Sequence, residues 1–99
     1  MSTLHLVRSP DRALLERCLA RIGNGDRLLL AENGVYQARE SHAPVNDLLN
    51  LAQRQALYVL SPDLQARGLT DIDLIPKVQP VDYSGFVDLT IAASHTVTW

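Results

Sequence analysis

The sequence predicts one α/β domain in three layers: a mainly parallel five-stranded sheet with helices on both faces. Three observations carry that expectation. Short apolar runs of strand length, at residues 4–7, 28–31 and 56–60, alternate with stretches whose apolar residues recur at three- and four-residue spacing. The run Leu28-Leu29-Leu30-Ala31 is apolar throughout, as expected of a strand covered on both faces. The first and third runs both meet Ser-Pro-Asp, at Ser9-Pro10-Asp11 and Ser61-Pro62-Asp63, which suits the step from strand to helix. A βαβαβαβαβ order then gives a mainly parallel sheet.

Each element follows from local chemistry. After the first strand, Ser9 is expected as the N-cap, with Pro10 at the first helical position and Asp11 near the positive helix start. The helix is expected to run to about Ile22, because Leu14, Leu15, Cys18, Leu19 and Ile22 share one face. Gly23-Asn24-Gly25-Asp26 ends it. Glu32-Asn33-Gly34 closes the second strand with a turn, and Val35, Tyr36 and Ala38 are expected to open a second helix. Residues 39–44 are polar and read as loop; residues 47–54 read as helix. The short helix after the third strand stops at Gly68. Pro76 and Pro80 lack backbone donors and confine a fourth strand to about residues 78–81. Residues 82–93 form the next helix, with Phe86, Leu89 and Ala93 facing inward, and the β-prone residues 95–99 add a last strand. Ser9, Glu32-Asn33, Ser61 and Asp82-Tyr83 then share one rim, where open parallel sheets usually bind ligands and partners.

Composition bounds the function. The 99 residues make a single domain, residues 1–99, and 46% hydrophobic content suits a packed globule. The longest apolar run is far short of a membrane span. Met1-Ser2-Thr3-Leu4-His5 has no basic stretch followed by an apolar one, so no secretory signal is expected. A net charge of −2 argues against direct nucleic-acid binding, which needs clustered positive charge. One cysteine makes no intrachain disulfide, no Cys/His pair has zinc spacing, and a reducing cytoplasm fits. Gly23-Asn24-Gly25 follows a helix, whereas a phosphate cradle follows a strand, and no cofactor is expected.

Few residues carry chemistry. Cys18 is the one strong nucleophile by type, and Arg17 and Arg21 lie close enough in sequence to favour a thiolate able to carry a persulfide. Against that, Cys18 sits in an apolar stripe, roughly 10 Å along the axis from the helix start, where the dipole has faded. His5, His42 and His95 are scattered, with no local signature of a His–Cys couple. The aromatic residues are dispersed and suit core and edge packing, with Tyr83 and Phe86 also candidates for an interface. Trp99, at the very end, packs either against another subunit or on its own chain; tryptophan is enriched at interface hot spots.

Several stretches, in order, resemble the DsrH/TusB family of sulfur-relay proteins, within the wider DsrE-like group. They are Leu4-His5 with Ser9-Pro10, Gly25-Asp26-Arg27-Leu28-Leu29-Leu30 with Asn33-Gly34-Val35-Tyr36, and Leu57-Tyr58-Val59-Leu60 with Asp63-Leu64 and Ala66-Arg67-Gly68. Val81-Asp82-Tyr83 with Phe86-Val87, and Trp99, complete the set. The resemblance spans nearly the whole chain. It implies a DsrE-like fold and a cytoplasmic, auxiliary or non-catalytic subunit of a hetero-hexamer, two copies each with DsrE/TusD-like and DsrF/TusC-like relatives. It implies that sulfur passes as a persulfide to a TusE-like acceptor for 2-thiolation of the tRNA wobble uridine or, in the other branch, to a DsrC-like acceptor in sulfur oxidation. The DsrH branch carries a cysteine in the first helix, which makes Cys18 a candidate auxiliary carrier. On fold grounds alone a small-ligand-binding α/β domain is the alternative, and Cys18 by itself would allow a stand-alone sulfurtransferase.

Overall fold

A computed structural model describes residues 2–99. Five strands, β1 (Thr3–Val7), β2 (Arg27–Leu30), β3 (Leu57–Leu60), β4 (Gln79–Val81) and β5 (His95–Thr98), form one sheet in the order β4-β3-β2-β1-β5. Every neighbouring pair is parallel. Four α-helices join them: α1 (Arg12–Leu19), α2 (Asn46–Gln53), α3 (Ser61–Ala66) and α4 (Tyr83–Ala92). The predicted alternation and parallel sheet are therefore present.

The strand order explains the layers. From β1 to β4 the chain steps in one direction, so right-handed crossovers put α1, α2 and α3 on one face. The return from β4 to β5 at the far edge reverses direction, which puts α4 on the other face. Two cores result. The larger joins Val7, Leu28, Leu30, Leu57 and Val59 of the sheet to Leu15 and Cys18 of α1, Leu48 and Leu51 of α2, and Leu64 of α3. The smaller joins Leu4, Leu29 and Leu89, with Leu6, Tyr58, Val81 and Phe86 packed around them. Alternation along β1 does this sorting: Leu4 and Leu6 point to the α4 face, and Val7 points to the other.

Local details differ from the sequence expectation in instructive ways. The N-cap of α1 is Asp11, whose carboxylate accepts from the Ala13 N–H at 3.0 Å. Ser9 instead accepts from the Asp11 N–H at 3.1 Å, which moves Pro10 outside the helix. Helix α1 ends at Leu19, three residues before the predicted Ile22, and Ile22 packs partly buried on the large core. At the second Ser-Pro-Asp, Ser61 and Pro62 lie inside α3 and Leu60 takes the cap position.

The second helix expected at Val35, Tyr36 and Ala38 is a 3-10 run, Glu32–Ala38. Its cause is a crowded turn. The chain leaves β2 through Glu32 at φ 52° and passes directly over the end of β1. A Cβ on Gly34 would lie 2.3 Å from the Val7 carbonyl oxygen, so only glycine fits there. Gly68, with φ 68°, stops the run after α3 as expected.

Candidate functional site

The rim at the C-terminal ends of the strands holds the polar residues that the sequence places there. Asp63, at the start of α3, accepts the Glu32 N–H at 2.6 Å. Arg67 donates through Nε to Asn33 Oδ1 at 2.9 Å and through Nη1 to the Asp63 carbonyl at 3.0 Å. Arg8 lies 3.4 Å from Glu32 in an exposed pair. These bonds tie the ends of β1, β2 and α3 together. Asp82 caps α4 by accepting from the Gly85 N–H at 2.7 Å. Among the described residues the rim thus contains fasteners and caps, and no nucleophile paired to a base.

On the large-core face, His5 is buried between two partners. Its Nε2 lies 3.2 Å from Asp26 Oδ2, and its Nδ1 accepts from the Trp99 indole N–H at 3.1 Å. An indole nitrogen only donates, so Nδ1 is unprotonated and Nε2 carries the hydrogen. Asp26 also accepts from the Thr3 N–H at 2.9 Å and the Gly23 N–H at 3.0 Å. Burial works against ionising Asp26, but those two backbone donors and the His5 ring outweigh it and hold its carboxyl below the usual range. The arrangement looks like half a catalytic triad, yet Trp99 occupies the nitrogen that a nucleophile would need. Trp99 packs on its own chain: its ring stacks on His5 at 6.1 Å between centroids, and its backbone N–H donates to the Leu6 carbonyl at 2.9 Å.

Cys18 is 0% exposed within the large core. Burial pushes its thiol up from 9.0 to about 12. Arg17 and Arg21 are both exposed and do not offset that burial. The proximity in sequence that suggested a stabilised thiolate places the guanidinium groups on the solvent side. His42 and His95 are also exposed, away from any shared site. Among the described residues no three His, Cys, Asp or Glu side chains converge as a metal site.

The remaining feature is the outer face of α4. Tyr83, Val87 and Ile91 recur every four residues and are 60%, 51% and 76% exposed. Phe86, the neighbouring candidate, turns inward onto the small core. A helix apolar on both sides is expected where it is covered on both sides.

Comparison with known proteins places this architecture. The family model described as "DsrH like protein" matches residues 8–96. The chain belongs to the DsrH family. Among curated relatives of this DsrH-family chain, "Protein TusB" of Pectobacterium parmentieri is 36% identical over 94 residues, covering 95% of this chain and 96% of the relative. "Protein TusB" of Shigella sonnei (strain Ss046) is 36% identical over 99 residues, covering 100% and 99%. The same fold occurs in the ychN protein of E. coli, with TM-score 0.76, 18% identity and complete coverage of both chains. Protein Tm0979 of Thermotoga maritima aligns with TM-score 0.62 and 27% identity over 90% of this chain and 91% of that one.

For this DsrH-family chain, the sequence pointed to Cys18, Trp99, Tyr83 and Phe86, and the fold sends them to different places. Cys18 lies in the large core, Trp99 on His5, Phe86 in the small core and Tyr83 on the outside. The role of Asp26 as the partner of His5 escaped sequence reasoning, because the two are 21 residues apart and meet only across the β1–β2 pair.

Proposed function

We propose that this DsrH-family chain is a TusB-like, non-catalytic subunit of a cytoplasmic sulfur-relay complex that supports 2-thiolation of the tRNA wobble uridine. In this reading two copies assemble with two each of DsrE/TusD-like and DsrF/TusC-like subunits, and sulfur passes as a persulfide to a TusE-like acceptor. Full-length similarity to proteins named TusB supports that branch over a DsrH-like role in sulfur oxidation.

The observation that carries the assembly reading is the outer face of α4. Tyr83, Val87 and Ile91 offer a neutral apolar ridge, while among the described residues no buried side-chain polar atom lacks a hydrogen-bond partner. The chain's own chemistry points the same way. Its cysteine is sequestered as a neutral thiol and its rim is occupied by internal bonds, so sulfur would travel on the sister subunits while this chain shapes the assembly. Cys18 would join the relay only if assembly exposed it.

Co-expression with the two sister subunits, followed by size-exclusion chromatography with light scattering, tests the proposal. A stable complex containing all three chains is the expected result. A monomer that ignores both sisters would end the reading. Loading the complex with a sulfur donor and weighing each chain tests Cys18 separately: no added sulfur on this chain is expected, and a sulfur lost in Cys18→Ser would make it a carrier.

A further inference from the structure

The face of the sheet that carries α4 is only half covered, and the uncovered half has a distinct chemistry. Five strands span about 19 Å, whereas one helix covers about 10 Å. Helix α4 crosses diagonally. It starts at the end of β4, and the Ser94 N–H just beyond it donates to the Ser2 carbonyl at the foot of β1. That leaves the feet of β2, β3 and β4 open. A cavity of about 430 Å³ lies there, lined by Arg27, Arg54, Gln55, Tyr58 and Gln79, with Asp26 at its edge.

Arg27 opens β2 and shares its side of the strand with Leu29, two residues on. Gln79 stands opposite Tyr58 in the β3–β4 register, and Tyr58 also packs on the small core, which joins the cavity to the α4 layer. Arg54 and Gln55 come from the turn between α2 and β3. Among the described residues neither arginine takes part in an ion pair. Asp26 does not neutralise them both, and its oxygens are committed to Thr3, Gly23 and His5. Two arginines therefore line the cavity, Arg54 from its border with a neighbouring groove between α1 and α2, against one carboxylate that is already engaged, and guanidinium geometry suits carboxylates.

We propose that this cavity receives an acidic side chain, aspartate or glutamate, from the protein subunit that completes the α4 face. The inference rests on the assembly reading above and adds the chemistry of the partner: an apolar strip for α4 flanked by a carboxylate for Arg27 and Arg54. Charge complementarity selects this occupant. Two arginines on a chain of net charge −2 are too few for an extended polyanion such as RNA, whose binding needs many phosphate contacts.

The test compares wild type, Arg27→Glu/Arg54→Glu and Arg27→Gln/Arg54→Gln in complexes with the two sister subunits, with circular dichroism showing that each variant folds. An Arg17→Glu variant on the outside of α1 serves as control. The expected result is assembly weakened about tenfold or more in the charge-reversed variant, less in the glutamine variant, and unchanged in the control. Added salt should weaken wild type more steeply than the glutamine variant. A folded, charge-reversed variant that assembles like wild type would overturn the proposal and leave the assembly reading intact. A wild-type chain that binds neither sister would remove the assembly reading and this inference with it. Normal assembly of the charge-reversed variant, combined with inorganic phosphate shifting the Tyr58 resonances of isolated wild type alone, would assign the cavity to a free anion and also overturn the proposal.

Discussion

Two side chains with reactive-looking chemistry are held silent by their surroundings. Cys18 has its thiol pushed from 9.0 to about 12 by burial. Thiol reagents should therefore label the native chain orders of magnitude more slowly than the denatured chain at neutral pH, and labelling as fast in both would contradict the buried position. Because the folded value is raised, the contribution is fully present below pH 9 and is lost as pH rises towards 12. Cys18→Ala should flatten that alkaline loss, as followed by denaturant midpoints across the range. Asp26 behaves oppositely. Its folded value is depressed, so its contribution is present above the ordinary carboxylate range and falls away as pH drops below about 4. Asp26→Asn should cost about 1–3 kcal/mol near neutral pH and remove that part of the acid dependence, measured by urea unfolding at several pH values. An unchanged acid limb would mean that another carboxylate controls it.

At the scale of elements, the turn from β2 into the 3-10 run is the tightest junction. Gly34→Ala forces a Cβ against the Val7 carbonyl, a backbone atom that cannot swing aside, and should destabilise the fold by roughly 2 kcal/mol or more. A thermal melt would show it, and a melting temperature equal to wild type would mean that the turn yields easily. This junction also shows why part of the secondary structure was hidden. The first three strands and α1 were legible because their apolar runs and spacing are local and strong, whereas β4 was placed by the prolines around it and β5 by its β-prone residues. Val35, Tyr36 and Ala38 show a fragment of helical spacing, but the close approach of Gly34 to β1 imposes the tighter 3-10 geometry. Likewise, Ser9 and Asp11 are both good caps, and nothing in their order alone says which one accepts from the first turn.

For the whole molecule, one consequence of the strand order dominates. Three crossovers share one face and a single helix serves the other, so the α4 face is thinner and more open. Ile91→Lys lies on the outer side of α4 and should alter the stability of the isolated chain by no more than about 0.5 kcal/mol while weakening assembly with the sister subunits. Unfolding curves and co-purification read these two effects separately, and a variant that assembles normally would remove Ile91 from the interface.

The sequence by itself determined the alternation of strands and helices, the parallel sheet, the polar rim and the family resemblance, because each is written in short-range spacing or in stretches of residues in order. Only the tertiary structure decided that Trp99 closes onto His5, that Cys18 lies on the buried face of α1 away from its neighbouring arginines, and that Arg27, Tyr58, Arg54 and Gln79 gather around one cavity. Those outcomes depend on residues far apart in the chain, which meet only after the sheet has set its order and α4 has chosen its diagonal.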